Sequence, residues 1–158
     1  MEYKVLVVGC NDIKKLGENL GDQFSLLAVA TAQETFHLPD LKEYKLAIVL
    51  DKEADGTGAQ AQVRALKHHP VISPLPVVVL ATEERDLDSR LGFYDAGCDD
   101  HIQFGNGAEL QVRLMKAIFN RIANEQLKQQ LEKANEMAFI AMSDTSDLGV
   151  NIQFLLDI

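Results

Sequence analysis

Short runs of apolar residues alternate along the chain with stretches of helical period. The clearest run is Leu46-Ala47-Ile48-Val49-Leu50, five apolar residues closed by Asp51. It predicts a strand buried on both faces. Val77-Val78-Val79-Leu80 has the same character and predicts a second central strand. Lys4 to Gly9 predicts a strand at the start. A helix over Ile13 to Leu20 follows it, with Asp12 as its cap and Gly21 as its stop. Ser25 to Val29 is a short strand. A helix from near Ala32, with Thr31 as cap, must end before Pro39. Ala59 to His68 combines helix formers with an apolar stripe at Val63 and Leu66, and Pro70, Pro74 and Pro76 make the next loop. Arg85 to Ala96 predicts a helix stopped by Gly97. Ile102 anchors a short strand broken by Gly105-Asn106-Gly107, and a last helix starts near Ala108.

Five strand-then-helix units joined by short loops predict an α/β fold, a (βα)5 doubly wound five-stranded parallel sheet. Right-handed crossovers leave few topologies, of which the flavodoxin-like order 2-1-3-4-5 is the expected one. Ligands of such sheets bind outside the carboxyl ends of the strands, so Asp51 is expected at the mouth of any site.

The last helix is too long for such a sheet. Helical composition runs from Ala108 to about Met142, and a domain of this size covers only its first ~15 to 18 residues at 1.5 Å of rise each. From Asn124, the positions Leu127, Leu131, Ala134, Ala138 and Ala141 follow a 3-4 spacing, with Gln, Glu and Lys on the other faces. This predicts a short coiled-coil seam that pairs two copies of the chain. Ser143 to Asp147 then breaks the helix and supplies caps for an amphipathic piece, Leu148 to Ile158. The expected organisation is a domain over residues 1–121, a projecting helix over 122–142, and a helical or docking element beginning at 143–158. Because the sequence stops inside an apolar stretch, this last piece is expected either to continue into a longer protein or to dock on a partner.

Composition narrows the function. Of 158 residues 25% are charged, and the net charge is -9. An acidic surface disfavours nucleic acid, which needs a basic face, and anionic membranes. No apolar run reaches the ~20 residues of a membrane span, and no secretory leader opens the chain, so a cytoplasmic location is expected. Cys10 and Cys98 lack metal-ligand spacing and read as small buried thiols. No dinucleotide fingerprint or phosphate-binding glycine loop is present. His68 and His69 read as exposed residues at a helix end.

Two segments, Pro76-Val77-Val78-Val79-Leu80-Ala81-Thr82 and Asp95-Ala96-Gly97-Cys98-Asp99-Asp100, together with the run into Asp51, resemble the receiver domain of bacterial response regulators. The resemblance covers Lys4 to about Arg121. It implies that Asp51 is the phosphoacceptor equivalent, and that a metal-binding acidic pair, a Ser or Thr and a Lys should surround it. Most of those positions depart from the family. The acidic pair falls on Gly9-Cys10 or Cys10-Asn11. The Ser/Thr position falls on Ala81 or Thr82, and the Lys position on Phe104 or, one residue earlier, Gln103. The aromatic switch position falls on His101, and the Pro after the Lys is Gly105. Loss of the Lys and of the acidic pair should each cost several kcal/mol of transition-state stabilisation.

The expectation is therefore a degenerate receiver domain that works without phosphorylation, is not an enzyme and uses no cofactor. Its expected partners are a histidine kinase or an output protein, and a second copy bound through the last helix. By family resemblance the partner surface would lie around Phe93, His101 and Leu110. Asp51 would then be structural, pairing with Lys52 or capping the following turn, with His101 half-buried. Asp12, Asp51, Glu53 and Asp55 would at most gather a cation weakly. Two rivals stand beside it. One is a conventional regulator phosphorylated on Asp51 with Mg²⁺. The other is a binder of a nucleotide or flavin in a crevice made apolar at Cys10 and Phe104.

Overall fold

The structure is a computed structural model, and the description covers residues 2–9, 13–52, 57–105 and 107–144. Five strands form one sheet: β1 Tyr3–Val8, β2 Phe24–Val29, β3 Leu46–Asp51, β4 Val77–Ala81 and β5 Asp100–Gln103. Every pairing is parallel, and the order is β2-β1-β3-β4-β5, as expected. The helices are α1 Lys14–Leu20, α2 Ala32–Thr35, α3 Thr57–His68, α4 Leu87–Ala96 and α5 Gly107–Asp144, with a 3₁₀ turn at Leu41–Glu43 between α2 and β3. The chain divides into two compact units, Met1–Phe119 and Asn120–Ile158.

The sheet of the first unit is buried on both sides, which is why β3 and β4 are apolar without alternation. On one face Leu6, Val8, Ala47, Val49, Val77 and Val79 pack with Val63 and Leu66 of α3 and Phe93 and Ala96 of α4. The alternate residues Val5, Val7, Ile48, Val78 and Leu80 point the other way and are equally buried. Leu16 and Leu20 of α1 and Leu110, Leu114 and Ile118 of α5 are buried outside the first cluster. A Gln111 Nε2 to Asn19 carbonyl bond of 2.9 Å ties α5 to the end of α1.

Helix ends explain most departures from the sequence expectation. The first helix begins at Lys14, and its expected cap Asp12 lies outside the described residues. Thr31 precedes α2 but makes no side-chain cap bond, and α2 is a single turn. The fourth helix starts at Leu87 and not at Arg85: the carboxylate of Asp86 accepts the Ser89 N–H at 2.8 Å and caps it. Gly97 ends α4 at φ 111°, its N–H donating to the carbonyls of Phe93 and Tyr94; only glycine takes this conformation without strain.

The acidic run after α4 is structural in its bonding. One oxygen of Asp99 accepts the Val77 N–H at 2.7 Å and Lys67 Nζ at 3.0 Å, while Lys67 also reaches the Leu75 carbonyl at 2.9 Å. Asp100 holds Arg113 of α5 in a two-pronged pair, Nε at 3.1 Å and Nη2 at 2.6 Å. His69 is not simply solvated. Its ring stacks on Phe36 with centroids 4.6 Å apart, and its Nδ1 accepts from the Val71 N–H.

In the second unit, α5 is exposed on all sides over residues 123–141. Leu127 and Leu131 are each 63% exposed, and Met137, Phe139 and Ile140 are exposed beside that spacing. Residues 145–158, on which the expected C-terminal element falls, lie outside the described residues.

Candidate functional site

The carboxyl ends of β3, β4 and β5 lie side by side. Asp51 pairs in register with Ala81, and Ala81 with Gln103. The Phe104 N–H continues the ladder to the Ala81 carbonyl at 2.7 Å, and the Thr82 N–H approaches the Asp51 carbonyl at 3.4 Å. Ala81 is buried, Phe104 is half-buried, and Thr82 and Gln103 are exposed. Cys10 and Asn11, the other expected pocket positions, lie outside the described residues, as do Asp12, Glu53 and Asp55 of the expected cation rim.

Asp51 is not at an open mouth. It is fully buried, and a cation the sequence did not single out covers it. Arg85, in the loop between β4 and α4, donates Nε to Oδ2 at 2.7 Å and Nη2 to Oδ1 at 2.7 Å. The Arg85 side chain is only 8% exposed. This is the fork-on-fork geometry that suits guanidinium and carboxylate, both oxygens sharing one cation. Among the described residues neither Lys52 nor a turn cap takes Asp51; the partner comes from 34 residues further along the chain.

His101 completes the cluster. The residue is half-buried, as expected, with its side chain only 4% exposed, and its ring lies 5.1 Å from that of Phe93. Nε2 stands 4.0 Å from Asp51 Oδ2 and is the one buried side-chain polar atom without a hydrogen-bond partner among the described residues. Burial holds the imidazole below its ordinary pKa of 6.5. Asp51 opposes that shift, and Arg90 and Arg85 reinforce it.

A hard cation such as Mg²⁺ takes oxygen ligands and would have to displace Arg85 to reach Asp51. Among the described residues no three His, Cys, Asp or Glu side chains gather at metal-binding distance. Cys98 is buried, its thiol pushed up to about 12 by burial and by Asp99 and Asp100. It has no part in the cluster's bonding.

The expected partner surface needs the same correction. Phe93 and Leu110 are 0% and 3% exposed and belong to the interior. The apolar residues that α4 turns to solvent are Leu87, Leu91 and Tyr94, and α5 adds Val112.

No protein-family model and no curated protein sequence matches the chain. Solved structures do. A protein provisionally described as a response regulator from Chloroflexus aurantiacus J-10-fl superposes with a TM-score of 0.62 at 19% identity, over 75% of this chain and 98% of that one. The BeF3-activated DrrB receiver domain gives 0.58 at 21%, over 75% and 98%. A protein provisionally assigned to pilus assembly (cpaE) from Burkholderia thailandensis E264 gives 0.58 at 17%, over 74% and 98%. The chain has the receiver-domain fold. At these identities the likeness speaks for architecture, and the chemistry of a receiver domain has to be judged from the residues at the end of β3. No described helix is long and apolar enough to cross a membrane.

Proposed function

We propose that the chain is a receiver-type signalling module that works without phosphoryl transfer and acts by holding protein partners. One observation carries this: both carboxylate oxygens of Asp51 are engaged by Arg85 in a buried pair. Phosphorylation of an aspartate needs one carboxylate oxygen free to attack phosphorus as the donor's leaving group departs. It also needs cations placed on the phosphoryl oxygens. Here the cation lies on the nucleophile. The exposed Gln103 that ends β5 and the half-buried Phe104 after it supply no charge in its stead. A chain of the same fold assigned to pilus assembly, beside others described as response regulators, agrees with a module not tied to one chemistry.

The partner is a histidine kinase or an output protein in the cytoplasm, and no cofactor is needed. A second copy pairs through the α5 seam, a reading favoured by the exposure of Leu127 and Leu131 at four-residue spacing.

The test is intact mass after incubation with acetyl phosphate and Mg²⁺, with Asp51→Asn alongside. The expected result is no increase in either protein. A gain of one phosphoryl group in the wild type alone overturns the reading and makes the chain a conventional phosphoacceptor.

A further inference from the structure

The anchor on Asp51 is one residue away from the start of α4. Arg85 lays its guanidinium on the carboxylate. Asp86, next in the chain, caps the helix, its side chain accepting from the Ser89 N–H at 2.8 Å and its carbonyl from the Arg90 N–H at 3.1 Å. No flexible residue separates anchor from cap, so the entry of α4 is tied to the end of β3.

Among the described residues the first half of α4 has little else to place it. The buried residues of this helix are Phe93 and Ala96, both in its second half; none of Leu87 to Gly92 is buried. The neighbouring α3 offers a long contact, Gln60 Nε2 to the Ser89 carbonyl at 3.5 Å. Packing therefore fixes the end of the helix, and the polar linkage through Arg85 and Asp86 fixes its beginning. The beginning carries most of the apolar stripe: Leu87, Leu91 and Tyr94, at i, i+4 and i+7, are 60%, 54% and 45% exposed.

We propose that Arg85 is a positioning residue for α4, an internal ligand of Asp51 that sets where the Leu87–Leu91–Tyr94 face stands. The carboxylate at the end of β3 thereby governs a surface it does not touch. This rests on Asp51 being held by Arg85 and not used as a phosphoacceptor.

Amide hydrogen exchange on the full chain tests it, with wild type, Asp51→Asn, Arg85→Met, Arg85→Lys and the Asp51→Asn/Arg85→Met double variant, and no phosphoryl donor present. Exchange at Arg90 and Leu91 is expected to speed up about tenfold more in Arg85→Met and in Asp51→Asn than exchange at the buried Val63 and Leu66 of α3, which reads any loss of global stability. The double variant should be no faster than the single ones. Arg85→Lys, which keeps the charge and loses the fork, should fall between them and wild type. Unchanged α4 exchange overturns the proposal, as does a rise of the same factor in α3 and α4, which is only lost global stability. If Arg85→Met does not fold, the near-isosteric Asp51→Asn and the charge-retaining Arg85→Lys decide on the same criterion. The acetyl phosphate experiment is separate. A phosphorylated Asp51 would end the functional reading, whereas the exchange pattern judges the link to α4 in the unmodified chain.

Discussion

His101 Nε2 lies 4.0 Å from Asp51 Oδ2, close enough to feel the carboxylate and too far to hydrogen-bond with it. The imidazole is buried, its pKa held below 6.5 chiefly by that burial. Below pH 6.5 the unfolded chain takes up a proton at this position before the folded one does. Stability is therefore whole above about pH 6.5 and falls as the pH drops toward the lowered folded value. The slope from this group is at most about 1.4 kcal/mol per pH unit, that of one proton. Urea unfolding at pH 7.5, 6.5 and 5.5 measures it, and His101→Phe should flatten the curve over that range.

The Asp51–Arg85 pair should be asymmetric under mutation. Arg85→Met leaves a carboxylate buried with no cation on it and is expected to cost about 3 to 5 kcal/mol. Asp51→Leu should cost less, because Arg85 sits at the edge of the interior, 8% exposed, and can swing into water. The double variant, with two apolar side chains, should cost less than the sum. Urea denaturation of the four proteins closes the cycle, and additive losses would contradict a direct pair.

Cys98 should be inert while the chain is folded. A thiol pushed up to about 12 is about one part in ten thousand thiolate at pH 8, and thiolate is the reactive form. In a Cys10→Ser background, a disulfide reagent at pH 8 should label the native chain negligibly and the urea-unfolded chain completely. Rapid native labelling would mean that the region after α4 opens.

Pairing through α5 should depend on its leucines. Leu127→Glu with Leu131→Glu is expected to convert a dimer into a monomer in sedimentation equilibrium, with the circular dichroism of the sheet domain unchanged. A wild-type monomer at tens of micromolar would remove the seam from the account.

The sheet was legible in the sequence because its two central strands lie between helical layers. Leu46 to Leu50 and Val77 to Leu80 can then be apolar throughout, a pattern that survives without any structural context. β5 was visible only at Ile102, because Asp100, His101 and Gln103 are polar; their places are set by Arg113, by Phe93 and by solvent, none of which is local. α4 shows apolar residues on two faces. Periodicity alone does not say whether Phe93 or Leu91 meets the sheet, hence the inversion of the expected surface. Arg85 was hidden for a related reason. A guanidinium can reach a carboxylate from any neighbouring loop, so the uncharged residues at the end of β5 say nothing of a cation in the loop after β4. The local signal lay in Asp86 and Ser89, whose cap spacing starts the helix after Arg85 and leaves its side chain free to turn toward β3.

The all-parallel sheet also bears on how the chain folds as it is synthesised. No two neighbouring strands are joined by a hairpin: Val5 must find Leu46, and Ala47 must find Val77. β1 can take β2 as a partner early, but its other edge waits until β3 has been made, and β4 and β5 then add outward in order of synthesis. Until then an apolar edge of the nascent chain is open. Pairings between distant segments form slowly, so this interval, more than any weakness of the finished sheet, is when the protein is most exposed to misassembly.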